Sequence, residues 1–290
     1  MNDTTLSLIL FVIAIMVWIL PKAYPIIATV MLAIYAAFLG TISISSAIVI
    51  LILAVAGYHL LQRHGQKDGI IRVIILLLIA WSLFSQDHDG KILSWTSYIE
   101  MIRSTHPISI KLTFEKVLVA LLIASYLLST KFSLEYWHKI INSGLSVLFL
   151  AYIALLLPLV IFLHLYGGLA IGQQNLTNLL LNLFLLCFTD EIIFRQVLQN
   201  WLHQIIQIKF GGVSKWLPIL LVSLIYSLFH LEYGLIMVLF TLFVGTAYGY
   251  IYQKSGKIEA AILVHFALSL TFCLVITFLA GQRLLPIIID

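Results

Sequence analysis

The chain has 290 residues, 62% of them hydrophobic and only 10% charged, against about 25% charged in ordinary globular domains. That balance excludes a soluble globular protein and points to an integral membrane protein with no soluble domain of useful size. The net charge of +4 does not indicate nucleic acid, because the basic residues are scattered through the breaks between apolar runs instead of lining one stripe.

A spanning helix takes about 20 mainly apolar residues. In chain order, the runs that approach this length cover residues 6–20, 24–40, 47–61, 70–84, 114–128, 145–166, 176–198, 216–231, 235–252 and 260–279. The expected fold is therefore all-α, a polytopic transmembrane helix bundle of about eight to ten spans, since the shortest runs are doubtful crossings. The start, MNDTTLSLIL, lacks the basic region of a signal peptide, so the first run is expected to stay as a helix. Pro21 and Pro25 punctuate the first hairpin.

The longest polar break, 85–111, separates N-terminal helices over 1–112, of unknown role, from a C-terminal core over 113–290. The stretch KFSLEYWHK, 131–139, mixes charges with aromatic rings as interfacial segments do. The two cysteines, Cys187 and Cys273, lie within apolar runs and are expected to be buried free thiols.

The basic residues give an orientation. The side reached after odd-numbered runs holds Lys22, Arg63, Lys67, Arg72, Lys131, Lys139, Lys209, Lys215, Lys254 and Lys257, whereas the other holds Lys91, Arg103, Lys111, Lys116 and Arg283. The richer side is expected to be cytoplasmic.

Within the run LLLNLFLLCFTDEIIFRQVL, 179–198, stand Asp190, Glu191 and Arg195. A charged side chain at bilayer depth costs about 2.5–3.5 kcal/mol on insertion scales, so three within six residues need a reason. On an α-helix Glu191 and Arg195 are four apart with the acid first, the favourable order for an ion pair. Asp190 lies about 100° around and is left without a cation of its own. Alone, the three can also be read as a salt-bridged knot that fixes helix packing. The surplus carboxylate favours a base.

Of nine histidines, most lie in polar connections or near run ends. His230 and His265 differ: the first closes YSLFH, with Tyr226 one turn earlier, and the second opens HFALS, with Ser269 one turn later. Polar side chains in a bundle turn inward and meet, because lipid offers them no partners. Between these helices Gly245 and Gly249 stand at small-xxx-small spacing, which reads as close helix packing.

Two acids and two histidines suit hydrolysis of an amide by activated water. A carboxylate and a histidine can together take the proton of a water attacking a carbonyl, while a second histidine stabilises the oxyanion. No serine or cysteine is placed as a nucleophile beside a base. No metal is required; a zinc alternative would use His230, His265 and Asp190 with an open fourth position, although neither histidine belongs to an H-E-x-x-H pair.

These residues resemble a known family. TDEIIFR resembles E-E-x-x-x-R, YSLFH is similar to F-x-x-x-H, and HFALS is similar to H-x-x-x-N, the three motifs of the CAAX protease and bacteriocin-processing family of intramembrane peptidases, also called the Abi family. The resemblance covers roughly 114–282. It implies an endopeptidase in the plasma (inner) membrane, with its site opening to the cytosol and a hydrophobic or lipidated peptide as substrate. It further implies catalytic roles for Asp190, Glu191, His230 and His265, and supporting roles for Arg195, Ser269 and Tyr226. Asp190 would activate water with His230, and His265 with Ser269 would form the oxyanion site. Asp190 is a methylene shorter than the usual glutamate, setting the base back by about 1.5 Å. Tyr226 and Ser269 stand for Phe and Asn. The alternatives are a weakened relative that binds peptides or confers immunity and, with less support, a transporter relaying protons through its carboxylates.

Overall fold

The computed structural model describes residues 3–62, 95–101, 108–128, 135–138, 140–142, 144–149, 152, 169–171, 176–210, 216–231 and 234–284. The runs expected at 70–84 and over most of 145–166 lie outside the described residues. Helices make up nearly all of the rest, as the apolar runs require: α1 (Asp3–Ile19), α2 (Ala23–Phe38), α3 (Ile44–Gln62), α4 (Phe114–Leu127), α5 (Leu176–Glu191), α6 (Asn200–Phe210), α7 (Trp216–Leu228), α8 (Leu235–Ser255) and α9 (Ile258–Leu284). Between α5 and α6 the helix widens to π geometry over Ile192–Gln199.

The polar break before α4 also holds strands β1 (Trp95–Met101) and β2 (Ile108–Leu112). With β3 (Leu169–Ile171) they form a sheet of order β2-β1-β3. Strands β1 and β3 are antiparallel, with Glu100 opposite Ala170.

The chain divides into two compact units that alternate along the sequence. The first takes Met1–Trp95, Lys111–Ser133 and Phe184–Ile192. Its centre is α4, which contacts α1, α2 and α3. Residues Val117 to Ser125 of that helix are all buried, the expected place for a helix apolar all round. Tyr126 ties its end down: the hydroxyl donates to Ala54 O at 2.5 Å, and its carbonyl accepts from Lys22 Nζ at 2.6 Å. Burial lowers the Lys22 ammonium below its usual pKa. The C-terminal half of α5 joins the unit through Trp18 against Phe188 and Phe11 against Phe184, both edge to face.

The second unit takes Thr96–Ile110, Leu134–Leu183 and Ile193–Asp290. Here α7 and α8 pack most closely, with α9 against α8 and β3. Helix α7 is apolar on its outer face, where Leu217, Leu220, Leu224 and Leu228 are exposed, while Ser223 and Ser227 are fully buried beside Ile219 and Val222. Such a face is unfavourable in water, and large exposed apolar patches mark binding or membrane surfaces. Among the described residues α8, at 21 residues, is long and apolar enough to cross a bilayer. Five shorter apolar helices, Thr5–Ile19, Ala23–Phe38, Ile44–Gly57, Trp216–Leu228 and Ile258–Leu274, accompany it. Both cysteines are buried and free, as their apolar surroundings predict.

Candidate active site

Asp190 and Glu191 end α5 and fall in the first unit; Arg195, Tyr226, His230, His265 and Ser269 fall in the second. Glu191 is 1% exposed and Asp190 half-buried. The sequence leaves Asp190 without a cation, but the structure supplies one in the first turn of α4. The carboxylates of Asp190 and Glu115 both act on the half-buried Lys116 ammonium. In sequence Lys116 reads as a loop-side charge of topological meaning only. Its place inside the first turn of an apolar helix is the signal that bears on the site.

Arg195 lies in the π segment, a geometry that recurs at functional sites. It is 1% exposed, and in its unit Nη2 donates to Gly245 O at 2.9 Å. Its Nη1 donates to Gln199 Oε1 at 3.3 Å and, more weakly, lies 3.5 Å from Ser223 Oγ. Gln199, fully buried, donates through Nε2 to Gly249 O at 3.0 Å. Two polar side chains one turn apart thus meet two carbonyls one turn apart on α8. This explains the glycines better than bare helix packing does. A Cβ at Gly249 would lie 2.8 Å from Gln199 Oε1 and 3.2 Å from Arg195 Nη1; one at Gly245 would lie 3.2 Å from the Tyr226 ring.

His230 follows the end of α7, where its N–H still closes a turn on Ser227 O at 3.0 Å. Gly234, at φ 93°, then reverses the chain into α8, a backbone only glycine adopts without strain. His230 Nδ1 lies 3.1 Å from Tyr226 O. A carbonyl only accepts, so Nδ1 carries the proton and Nε2 is the acceptor of the neutral ring.

The two histidines share Tyr226. Its ring meets His230 at 5.1 Å between centroids and 61°, and His265 at 6.3 Å and 84°. Phe194 also packs against Tyr226 in an edge-to-face arrangement, at 5.2 Å and 76°. His265, 4% exposed, is stacked on Tyr248 at 4.2 Å and 17°. Ser269 sits one turn further along α9, half-buried. Sequence reasoning misses Tyr248, because nothing in GTAYGYIY separates it from Tyr250 or Tyr252, and misses Gln199, which carries no charge to stand out among apolar neighbours.

A second polar knot lies at the start of α9. Tyr136 donates to Glu259 Oε1 at 3.0 Å, and Lys257 Nζ lies 4.7 Å from the centre of the Tyr136 ring. Burial, then the Glu259 charge and the hydrogen bond to it, push the Tyr136 hydroxyl well above the usual phenol pKa. Nearby on α8, Tyr252 donates to Gln196 Oε1 at 2.9 Å. Among the described residues no group of three or more His, Cys, Asp or Glu side chains is arranged to hold a metal.

Residues 172–271 match a protein-family model described as Rce1-like, type II CAAX prenyl endopeptidase Rce1-like. All three motif segments fall inside this match, so the resemblance read from them and the family model agree on the same part of the chain. No curated protein and no solved structure matches the chain.

Proposed function

We propose that the Rce1-like segment is the core of an intramembrane endopeptidase that hydrolyses a peptide bond in a hydrophobic or prenylated peptide. The observation that carries this reading is the convergence of His230 and His265 on Tyr226 within the matched residues. Water is activated by Asp190 together with Nε2 of His230, the nitrogen left as acceptor by the Nδ1 contact to Tyr226 O. Glu191 is the companion carboxylate, Arg195 the supporting cation, and His265 with Ser269 donates to the oxyanion.

The protein is read as a bundle of about eight to ten spans, with the lipid bilayer and a lipidated or hydrophobic peptide as its partners. It sits in the plasma (inner) membrane with the site opening to the cytosol. The apolar outer face of α7 and the length of α8 support the membrane setting. No metal enters the proposed chemistry.

The test is cleavage of a hydrophobic peptide, with and without a prenyl group, by protein reconstituted in nanodiscs. Asp190→Ala, Glu191→Ala and His230→Ala are each expected to lower turnover by about 10²-fold or more without loss of expression. Undiminished cleavage by His230→Ala removes the mechanism. Chelator is expected to leave turnover unchanged; loss on chelation, restored by zinc, replaces water activation by the carboxylate and histidine with a metal site.

A further inference from the structure

The ring of His265 is held on a face as well as an edge, and the face belongs to a residue that none of the motifs contains. Tyr248 and His265 stack at 4.2 Å with planes 17° apart, and both are almost fully buried, at 3% and 4% exposure. Tyr226 meets the same imidazole nearly perpendicularly, at 84°. Rotation of a histidine ring about its last torsion is soft, so a buried imidazole takes its plane from its neighbours. A flat partner at stacking distance fixes that plane, and an edge-on ring closes a second direction.

Tyr248 is itself placed by the helix that carries it. Residues 245 and 249 bracket it, and their carbonyls accept from Arg195 at 2.9 Å and Gln199 at 3.0 Å. Both acceptors are on glycine, so the two donors approach the α8 backbone without a side chain between. Arg195 and Gln199 thus fix the turn of α8 from which Tyr248 projects, and Tyr248 fixes the plane of His265.

We propose that Tyr248 is a positioning residue that sets the orientation of the His265 imidazole, with Gln199 acting through it by holding the backbone at Gly249. The ring orientation stands on the contacts alone; its consequence for turnover rests on the peptidase reading. An oxyanion donor works only within about 0.5 Å and 10–20° of its productive geometry, so a released ring loses turnover before it loses substrate binding.

Two measurements on the full chain in nanodiscs test this. With ¹³C-labelled histidine, the His265 ring signals, assigned by their loss in His265→Gln, are expected to be single and shifted upfield by the stacked ring. That shift should persist in Tyr248→Phe and vanish in Tyr248→Leu. Tyr248→Met makes the same comparison should the leucine variant fail to fold. On peptide cleavage, Tyr248→Phe should retain kcat within about twofold, whereas Tyr248→Leu should lose roughly ten- to a hundredfold in kcat with KM little changed. Unchanged His265 signals in Tyr248→Leu overturn the proposal, as does a lost shift with kcat retained. A wild-type protein that cleaves nothing refutes the peptidase reading, and the ring signals then decide this one by themselves.

Discussion

In the proposed mechanism Asp190 is the residue on which the chemistry turns, and an enzyme tuned to its short side chain would compensate for it through the backbone. Asp190→Glu is then expected to lower cleavage by about tenfold or more, because the added methylene pushes the carboxylate past the water. A large gain would instead mark a weakened relative. Lys116 enters at the same scale. Its ammonium feels both Asp190 and Glu115, so removing one charge leaves another half-buried and less balanced. The losses of melting stability in Lys116→Met and Asp190→Asn should therefore fall short of adding in the double variant, by about 0.5–3 kcal/mol. Additive losses would mean that the two charges do not feel each other. The charged residues and the histidines stand out in the sequence because each contrasts with apolar neighbours. Lys116 does not stand out, since a lysine at the edge of an apolar run is the ordinary mark of a membrane boundary.

At the scale of the helix, the glycines of α8 differ in how much room they leave. A methyl at Gly249 meets Gln199 Oε1 at 2.8 Å and Ile219 Cγ2 at 2.9 Å, whereas one at Gly245 meets nothing nearer than 3.2 Å. Gly249→Ala should cost about 1–3 kcal/mol through overpacking. Gly245→Ala should be close to neutral, because the roughly 1 kcal/mol that alanine gains in helix propensity offsets a milder squeeze. Thermal unfolding of the two variants checks the order, and a more damaging Gly245→Ala would contradict it. The small-xxx-small spacing was legible in the sequence, but what fills the gap was not. Spacing along one helix reports that something approaches closely, and not that the visitor is a guanidinium and an amide from the π segment.

The strands were illegible for a different reason: the break at 85–111 is judged by its polarity, and alternation over WTSYIEM is too short to outweigh it. Tyr136 offers a further test on the segment before α9. Burial and the Glu259 carboxylate keep its proton bound in the folded protein above the pH at which an unfolded tyrosine releases it. The stability it contributes is complete below about pH 10 and declines as pH rises toward the higher native value. Tyr136→Phe should lower stability at neutral pH and flatten the loss of melting temperature between about pH 10 and 11.5; an unchanged slope would show that this hydroxyl does not carry it.

Over the whole molecule, the membrane setting was readable from composition, because 10% charge cannot solvate a chain of 290 residues. The division into two alternating units was not readable, since contacts between distant segments leave no local pattern. The proposed orientation has a direct check, helped by both native cysteines being buried. In inverted vesicles, whose cytoplasmic face is outward, Lys257→Cys should react with a membrane-impermeant maleimide, and Ser43→Cys should react only from the opposite side. The reverse pattern would place the site toward the exterior.

The paired contacts of Arg195 and Gln199 with α8 also act as a key with two teeth. Helix backbones repeat every turn, about 5.4 Å, so sliding one helix past another by one turn usually finds equivalent carbonyls and is a common way for packed helices to change state. Here the positions one turn beyond the glycines are Thr241 and Gln253. A slip in either direction would give one tooth a glycine and press the other against a side chain. Only one register admits both, so α8 is denied the ratchet step open to smoother helix pairs.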